Sequence, residues 1–248
     1  MGRLVLLRHG QSQWNLENRF TGWWDVPLSD RGREEARSAG SLLANEGIEV
    51  DELFTSVLTR AVNTAELVVE VMGQSWVPVR RHWRLNERHY GSLTGMNKVE
   101  AKETFGEERF GAWRRSYDVP PPPMEAGHRF DVRSDRRYSL VAAGAMPATE
   151  CLADVVARLL PYFYDVIAPG LLEGSTTLIV AHGNSLRALV KHLEGITDAE
   201  IASLEIPTGV PRVYELDKDL LVLSSRDLGD PEAIAAAAEA VRRQGERG

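Results

Sequence analysis

Apolar residues along the chain fall into two rhythms, short dense runs and longer stretches in which they recur every third or fourth position. RLVLL (3–7) is a dense run closed by Gly10 shortly after, and it predicts a buried strand. LSDRGREEARSAGSLLANEG (28–47) predicts a helix: Ser29 is placed as its N-cap, and Ala36, Ala39, Leu42 and Leu43 share one face. Gly47 stops it. DELFTS (51–56) predicts a second strand, and LTRAVNTAELVVEVMG (58–73) a second helix with Ala61, Ala65, Val68, Val69 and Met72 on one face. WVPV (76–79) is a third, weaker strand candidate.

Between about 84 and 148 the rhythm breaks. PPPP at 120–123, many charges and little periodicity predict an irregular insertion rather than a second domain. Order returns with a helix over 149–168, the strand TTLIVAHG (176–183) and the helix SLRALVKHL (185–193). PRVYEL (211–216) and LLVLSS (220–225) predict a hairpin turning at Lys-Asp. Asp230 as N-cap and Pro231 after it start a helical tail over about 230–248. Alternating strands and helices imply an α/β fold over one domain, 1–248: a three-layer sandwich, its mostly parallel sheet covered by helices on both faces.

Composition narrows the function. A chain of 248 residues that is 43% hydrophobic suits one domain with a full core. A net charge of −7 with no basic stripe argues against a nucleic-acid partner. No apolar run approaches the roughly 18 residues of a membrane span. The N-terminal apolar stretch is too short for a secretory signal, and Cys151 is the single cysteine, so a cytoplasmic protein is expected.

Two strands end alike, in Arg8-His9-Gly10 and in Ala181-His182-Gly183. Ligands of open α/β sheets bind beyond the carboxyl ends of strands, so neighbouring strands would bring His9 and His182 face to face there. The helix entered at Asn184 adds a positive dipole end. Arg60 follows the second strand, Glu87, Arg88, His89 and Tyr90 the third, and the insertion adds Lys98, Arg114 and Arg115. Cations around paired imidazoles suit phosphoryl transfer, because guanidinium groups hold an imidazole unprotonated and carry charge on the transferring oxygens. On that chemistry no metal is required. His82 and His89 are seven positions apart, with no third ligand nearby, so a zinc site is not expected.

LLRHGQSQWN, RFTGWWDVPLS, TSVLTRA, RLNERHYGSLTGMNK, WRRSYDVPPPP, VAHGNSLRALVKHL and EIPTGVP together resemble the cofactor-dependent phosphoglycerate mutases of the histidine phosphatase superfamily. The resemblance implies that His9 is the phosphorylated nucleophile, primed by 2,3-bisphosphoglycerate. Arg8, Arg60 and His182 would hold the transferring group, and Glu87 would be the general acid/base. Tyr90, Lys98, Arg114 and Arg115 would bind the carboxylate and stationary phosphate of the glycerate. Ser12, Asn15, Thr21, Gly22, Gly183 and Asn184 would complete the phosphate cradle. Gly10, Gln11, Gln13 and Trp14, with Arg88 and His89, complete the expected binding set. The resemblance also implies a homodimer or homotetramer. Gln11 departs from it, since the family usually has Glu there, and segment 124–148 follows it only loosely. Two rival readings share these residues: a phosphatase, in which water attacks phospho-His9, and a non-catalytic anion binder.

Overall fold

The computed structural model describes residues 1–244, so the last four residues of the expected tail lie outside the described residues. Among the described residues six strands form one sheet: β1 (Gly2–Arg8), β2 (Glu52–Thr55), β3 (Val79–Arg81), β4 (Thr176–Ala181), β5 (Pro211–Leu216) and β6 (Val222–Asp227). Their order across the sheet is β3-β2-β4-β1-β5-β6. β1 to β4 run parallel; β5 runs antiparallel to β1, and β6 antiparallel to β5, with which it forms the hairpin. Nine α-helices accompany them: α1 (Gln13–Leu16), α2 (Asp30–Asn45), α3 (Thr59–Val71), α4 (Lys98–Phe105), α5 (Glu107–Arg115), α6 (Leu152–Tyr162), α7 (Ala168–Leu172), α8 (Gly183–Glu194) and α9 (Pro231–Arg242) among the described residues.

Strand alternation sorts the core into two layers. Leu4, Leu6, Ile179 and Ala181 face α6, α7 and α8, together with Phe54 and Tyr214. Val5, Leu7, Leu178 and Val180 face α2 and α3, where Ala39, Leu43, Ala65 and Val68 meet them. Strands β1 and β4 are therefore apolar at every central position because both of their faces are covered. This is the expected three-layer α/β sandwich.

Three expectations need correction. The third strand is Val79–Arg81 rather than 76–79, because Pro78 has no N–H for the ladder; its carbonyl accepts from Leu53 N–H at 3.0 Å, and pairing starts after it. The insertion holds two helices, α4 and α5, that periodicity did not reveal. Only Lys98, Ala101 and Phe110 of them are buried, against Phe20 and Leu93, so no apolar stripe marks them. The helix expected at 149–168 begins at Leu152 and runs through a π turn (Phe163–Ile167) after Pro161 to Leu172. It is 21 residues long with a mean hydropathy of 1.4, long and apolar enough to cross a membrane by those measures alone. Asp154, Arg158 and Asp165 interrupt any continuous apolar run, and Leu152, Val155, Leu159, Phe163 and Ile167 turn inward to the core.

Candidate active site

Register places the two histidines. β1 and β4 pair with Arg8 opposite Ala181, and His9 N–H donates to Ala181 O at 3.0 Å, so both chains leave the sheet side by side. The His9 and His182 ring centroids are 4.9 Å apart, edge to face. Arg60 reaches them from the first turn of α3. It is fully buried, donating from Nη1 to Trp24 O (3.1 Å) and from Nη2 to Gly22 O (2.8 Å). Gly22 presents that carbonyl from a left-handed backbone (φ 58°), and a Cβ there would press on the backbone of Tyr90 and Arg88 at 3.2–3.3 Å.

Hydrogen bonding sets the tautomer of His9. Arg60 Nε donates to His9 Nε2 at 3.3 Å, which requires a lone pair on Nε2, so Nδ1 carries the proton and donates to Gly10 O at 2.7 Å. Burial, then Arg60, then Arg8, hold the His9 pKa well below its ordinary value. The exposed chemistry of the ring is thus an unprotonated Nε2 beside a guanidinium, ready to attack phosphorus. His182 is likewise held well below its ordinary value, by burial first and then by Arg60. Its Nε2 pairs with Ser56 Oγ at 2.8 Å, and Ser56 Oγ also accepts from Leu58 N–H.

Glu87 sits across the cleft. Its Oε1 accepts from Arg88 N–H (2.7 Å) and from Asn184 N–H (3.1 Å) in the first turn of α8, which fixes the carboxylate. Asn184 Nδ2 donates to Tyr90 Oη at 3.0 Å, and its Oδ1 accepts from Arg187 Nη1 at 2.9 Å. The cleft between these groups encloses about 690 Å³, counting its open mouth. Among the described residues seven cationic side chains line it (Arg8, Arg19, Arg60, Lys98, Arg114, Arg115, Arg187) against two carboxylates (Glu87, Glu205). A chain of net charge −7 therefore carries a local excess of positive charge in one cleft, which focuses anions into it. Lys98 is held well below its ordinary pKa by burial first and then by Arg114 and Arg8, so an anion bound beside it would favour its charged form.

Of the expected residues, Arg8, His9, Asn15, Thr21, Gly22 and Arg60 line this cleft. Glu87, Tyr90, Lys98, Arg114, Arg115, Gly183 and Asn184 do too. Gly10, Gln11, Ser12, Gln13, Trp14, Arg88, His89 and His182 do not, and each has another position. Gly10 packs on Gly32; Gln11 donates its N–H to Glu35 and accepts from Ser29 Oγ, facing away toward α2. Ser12 caps α1, Gln13 N–H bonds Pro27 O, and Trp14 meets Phe130. Arg88 is buried, donating to the Trp113 and Arg114 carbonyls at the end of α5, and His89 is buried between Glu150 and Gly91. His182 is fully buried, its ring beside that of His9. Trp23 is buried in the core, against Tyr138 and Trp83. Among the described residues no group of three or more His, Cys, Asp or Glu side chains is placed to hold a metal ion.

Sequence reasoning missed Arg19, Phe20, Arg187, Glu205, Ile206, Val241 and Gln244, which also line the cleft. Val241 and Gln244 arrive because α9 lays its C-terminal end there: Lys98 Nζ donates to Gln244 Oε1 (2.8 Å) and Arg114 Nη2 to Val241 O (2.9 Å). Carbonyls at a helix C-terminus carry partial negative charge, so they suit these cations.

The buried imidazoles make acid sensitivity predictable. The folded pKa of His9 and of His182 lies below the unfolded value of about 6.5, so acid protonates the unfolded chain first. Stability is unaffected above pH 6.5 and falls below it by about 1.4 kcal/mol per pH unit for each such histidine. His89, pushed down to about 4 mainly by burial, adds the same slope over the same window. The melting temperature of the ligand-free protein is expected to drop steeply from pH 6.5 to 5. A flat profile would mean that these rings are already charged in the fold.

The chain matches the histidine phosphatase superfamily (branch 1) over residues 4–144 and 135–226. It is 55% identical to a 2,3-bisphosphoglycerate-dependent phosphoglycerate mutase of Thermobifida fusca (strain YX), over 99% of this chain and all of the relative. It is also 55% identical to phosphoglycerate mutase 1 of Saccharomyces cerevisiae, over the whole of both chains. Among solved structures it is similar to a mycobacterial glucosyl-3-phosphoglycerate phosphatase, with a TM-score of 0.70 at 26% identity over 92% of this chain and 97% of that one.

Proposed function

Because the chain belongs to the histidine phosphatase superfamily, we propose that it is an enzyme interconverting 3-phosphoglycerate and 2-phosphoglycerate, dependent on 2,3-bisphosphoglycerate. The observation that carries the reading is the lone pair of His9 Nε2, held beside Arg60 at the end of β1 in a cleft of cations. The cleft fits a small polyanion: Arg8 Nε and Thr21 Oγ1 are buried there without a hydrogen-bond partner among the described residues. 2,3-Bisphosphoglycerate, when bound, supplies the phosphoryl group that primes His9.

Arg8 and Arg60 hold the equatorial oxygens of that group, and His182 adds a second imidazole as charge builds on them. Phospho-His9 passes its phosphoryl group to the free hydroxyl of the monophosphate. The N–P bond breaks, the O–P bond forms, and Glu87 takes the hydroxyl proton. His9 then takes back the other phosphoryl group, and Glu87 returns the proton to the oxygen left behind. Tyr90, Lys98, Arg114 and Arg115 keep the glycerate in place between the two transfers, and the end of α9 shields the cleft from water. The reading carries with it a cytoplasmic site of action and a homodimer or homotetramer.

Hydrolysis by the same phosphohistidine is the other reaction this machinery permits. Mutase names at 55% identity over the full chain favour isomerisation, whereas the phosphatase-named neighbour is 26% identical. Arg115→Ala tests the distinction. With the distal anion less firmly held, phosphate release is expected to rise relative to isomerisation in an enolase-coupled assay. An unchanged ratio would remove Arg115 from substrate retention.

A further inference from the structure

Glu205 is a carboxylate in the wall of an anion site. Its side chain is 11% exposed and is ion-paired through Oε1 to Arg115 Nη1. It lies in the loop between the single helical turn Glu200–Ser203 and β5. The loop cannot swing out freely, because Ile206 O accepts from Arg8 Nη1 at 2.7 Å and Gly209 N–H donates to Arg8 O at 3.1 Å. The end of β1 thereby ties Glu205 into the cleft. Arg187 stands close on the same wall; it is 6% exposed, and its Nε has no hydrogen-bond partner among the described residues.

The Gln244 amide on Lys98, the Val241 carbonyl on Arg114 and the Arg242 carbonyl on Arg114 and Arg115 are neutral acceptors. Glu205 brings a full negative charge into direct contact with Arg115, a group expected to bind the ligand. In a cleft partly withdrawn from water, the repulsion it exerts grows with the charge of the ligand. A doubly phosphorylated glycerate therefore feels it more than a singly phosphorylated one.

We infer that Glu205 is a specificity-determining residue that competes with the anionic ligand for Arg115 and limits how tightly bisphosphate is held relative to monophosphate. The inference rests on the proposed mutase reading. It gives the carboxylate a purpose there, since a bisphosphate clamped too firmly could not turn between the two transfers. Discrimination of this kind comes from a repulsive element as much as from attractive ones.

The test compares the full chain with Glu205→Gln, which keeps the shape and an acceptor for Arg115 but removes the charge, and with Glu205→Ala. Calorimetric titrations use 2,3-bisphosphoglycerate, 3-phosphoglycerate and inorganic phosphate. Both uncharged variants are expected to tighten bisphosphate about tenfold and 3-phosphoglycerate by clearly less, on the order of threefold. Glu205→Asp, which restores the charge, is expected to bring the ratio back toward the original. Equal tightening of both ligands, or weaker binding of both, would overturn the inference; weaker binding would make Glu205 a support that steadies Arg115. Failure of the unsubstituted chain to isomerise 3-phosphoglycerate would instead defeat the mutase reading. Inorganic phosphate would still report the competition, by binding more tightly to both uncharged variants.

Discussion

Gly10→Ala is expected to cost the fold about 4 kcal/mol or more and to lower the melting temperature by on the order of 10 °C. A Cβ built on Gly10 falls 2.0 Å from Gly32 O and 2.8 Å from Gly32 Cα, and one built on Gly32 falls 2.0 Å from Gln11 O. The two glycines let the turn after β1 lie directly on the first turn of α2, backbone on backbone. No side chain can rotate away to admit a methyl group, so either the turn or the helix must move. Movement reaches the chemistry as well. Gly10 N–H is held by Thr64 Oγ1 at 3.2 Å, and Gly10 O is the acceptor that keeps the proton on His9 Nδ1. Gly10→Ala is therefore expected to lose more activity than its unfolded fraction explains. Gly111→Ala in α5 is the matched control: nothing lies within 4 Å of its Cβ, and a helical alanine is expected to add up to about 1 kcal/mol. A loss under 1 kcal/mol for Gly10→Ala would show that the turn and α2 part easily.

The largest effect on rate is expected from His9→Gln, a fall in kcat of about 10⁵-fold with the circular dichroism spectrum unchanged. Glutamine is close in volume and neutral, as the buried ring is, and Arg60 stays anchored by the Trp24 and Gly22 carbonyls. The fold has little reason to change. What disappears is the nitrogen lone pair that takes the phosphoryl group, and the cations left behind position a phosphate without anything to receive it. Measured by steady-state isomerisation, a loss of less than about 100-fold would mean that the phosphoryl group moves without passing through His9.

Much of this site was legible in the sequence because it is built on strand ends. RLVLL and TTLIVA are apolar on both faces, so they had to be central strands. Two central parallel strands ending in His-Gly then meet wherever they pair. The helix-borne site groups Arg60 and Asn184 follow their strands directly and were equally visible. Legibility failed where position depends on distant partners. Arg187 looks like one polar residue on a core helix, and only the fold turns it toward the cleft. Glu205 reads as an ordinary loop carboxylate until Arg8 anchors its loop. The helices α4 and α5 carry so few buried residues that their periodicity is weak, and α9 approaches the cleft by its C-terminal end, which no local pattern encodes. Conversely, Gln11 and Trp14 were expected in the binding set that accompanies the resemblance. The short helix α1 and the packing of Gly10 on Gly32 turn them elsewhere.

The central claim is that His9 receives a phosphoryl group and returns it to a glycerate rather than to water. Its most direct test incubates the protein with 2,3-bisphosphoglycerate carrying labelled phosphate, isolates the protein, and chases it with unlabelled 3-phosphoglycerate. The account predicts acid-labile label on His9, absent from His9→Gln, that is chased chiefly into glycerate phosphates. Label that never appears on His9, or that leaves only as inorganic phosphate when 3-phosphoglycerate is present, would contradict it.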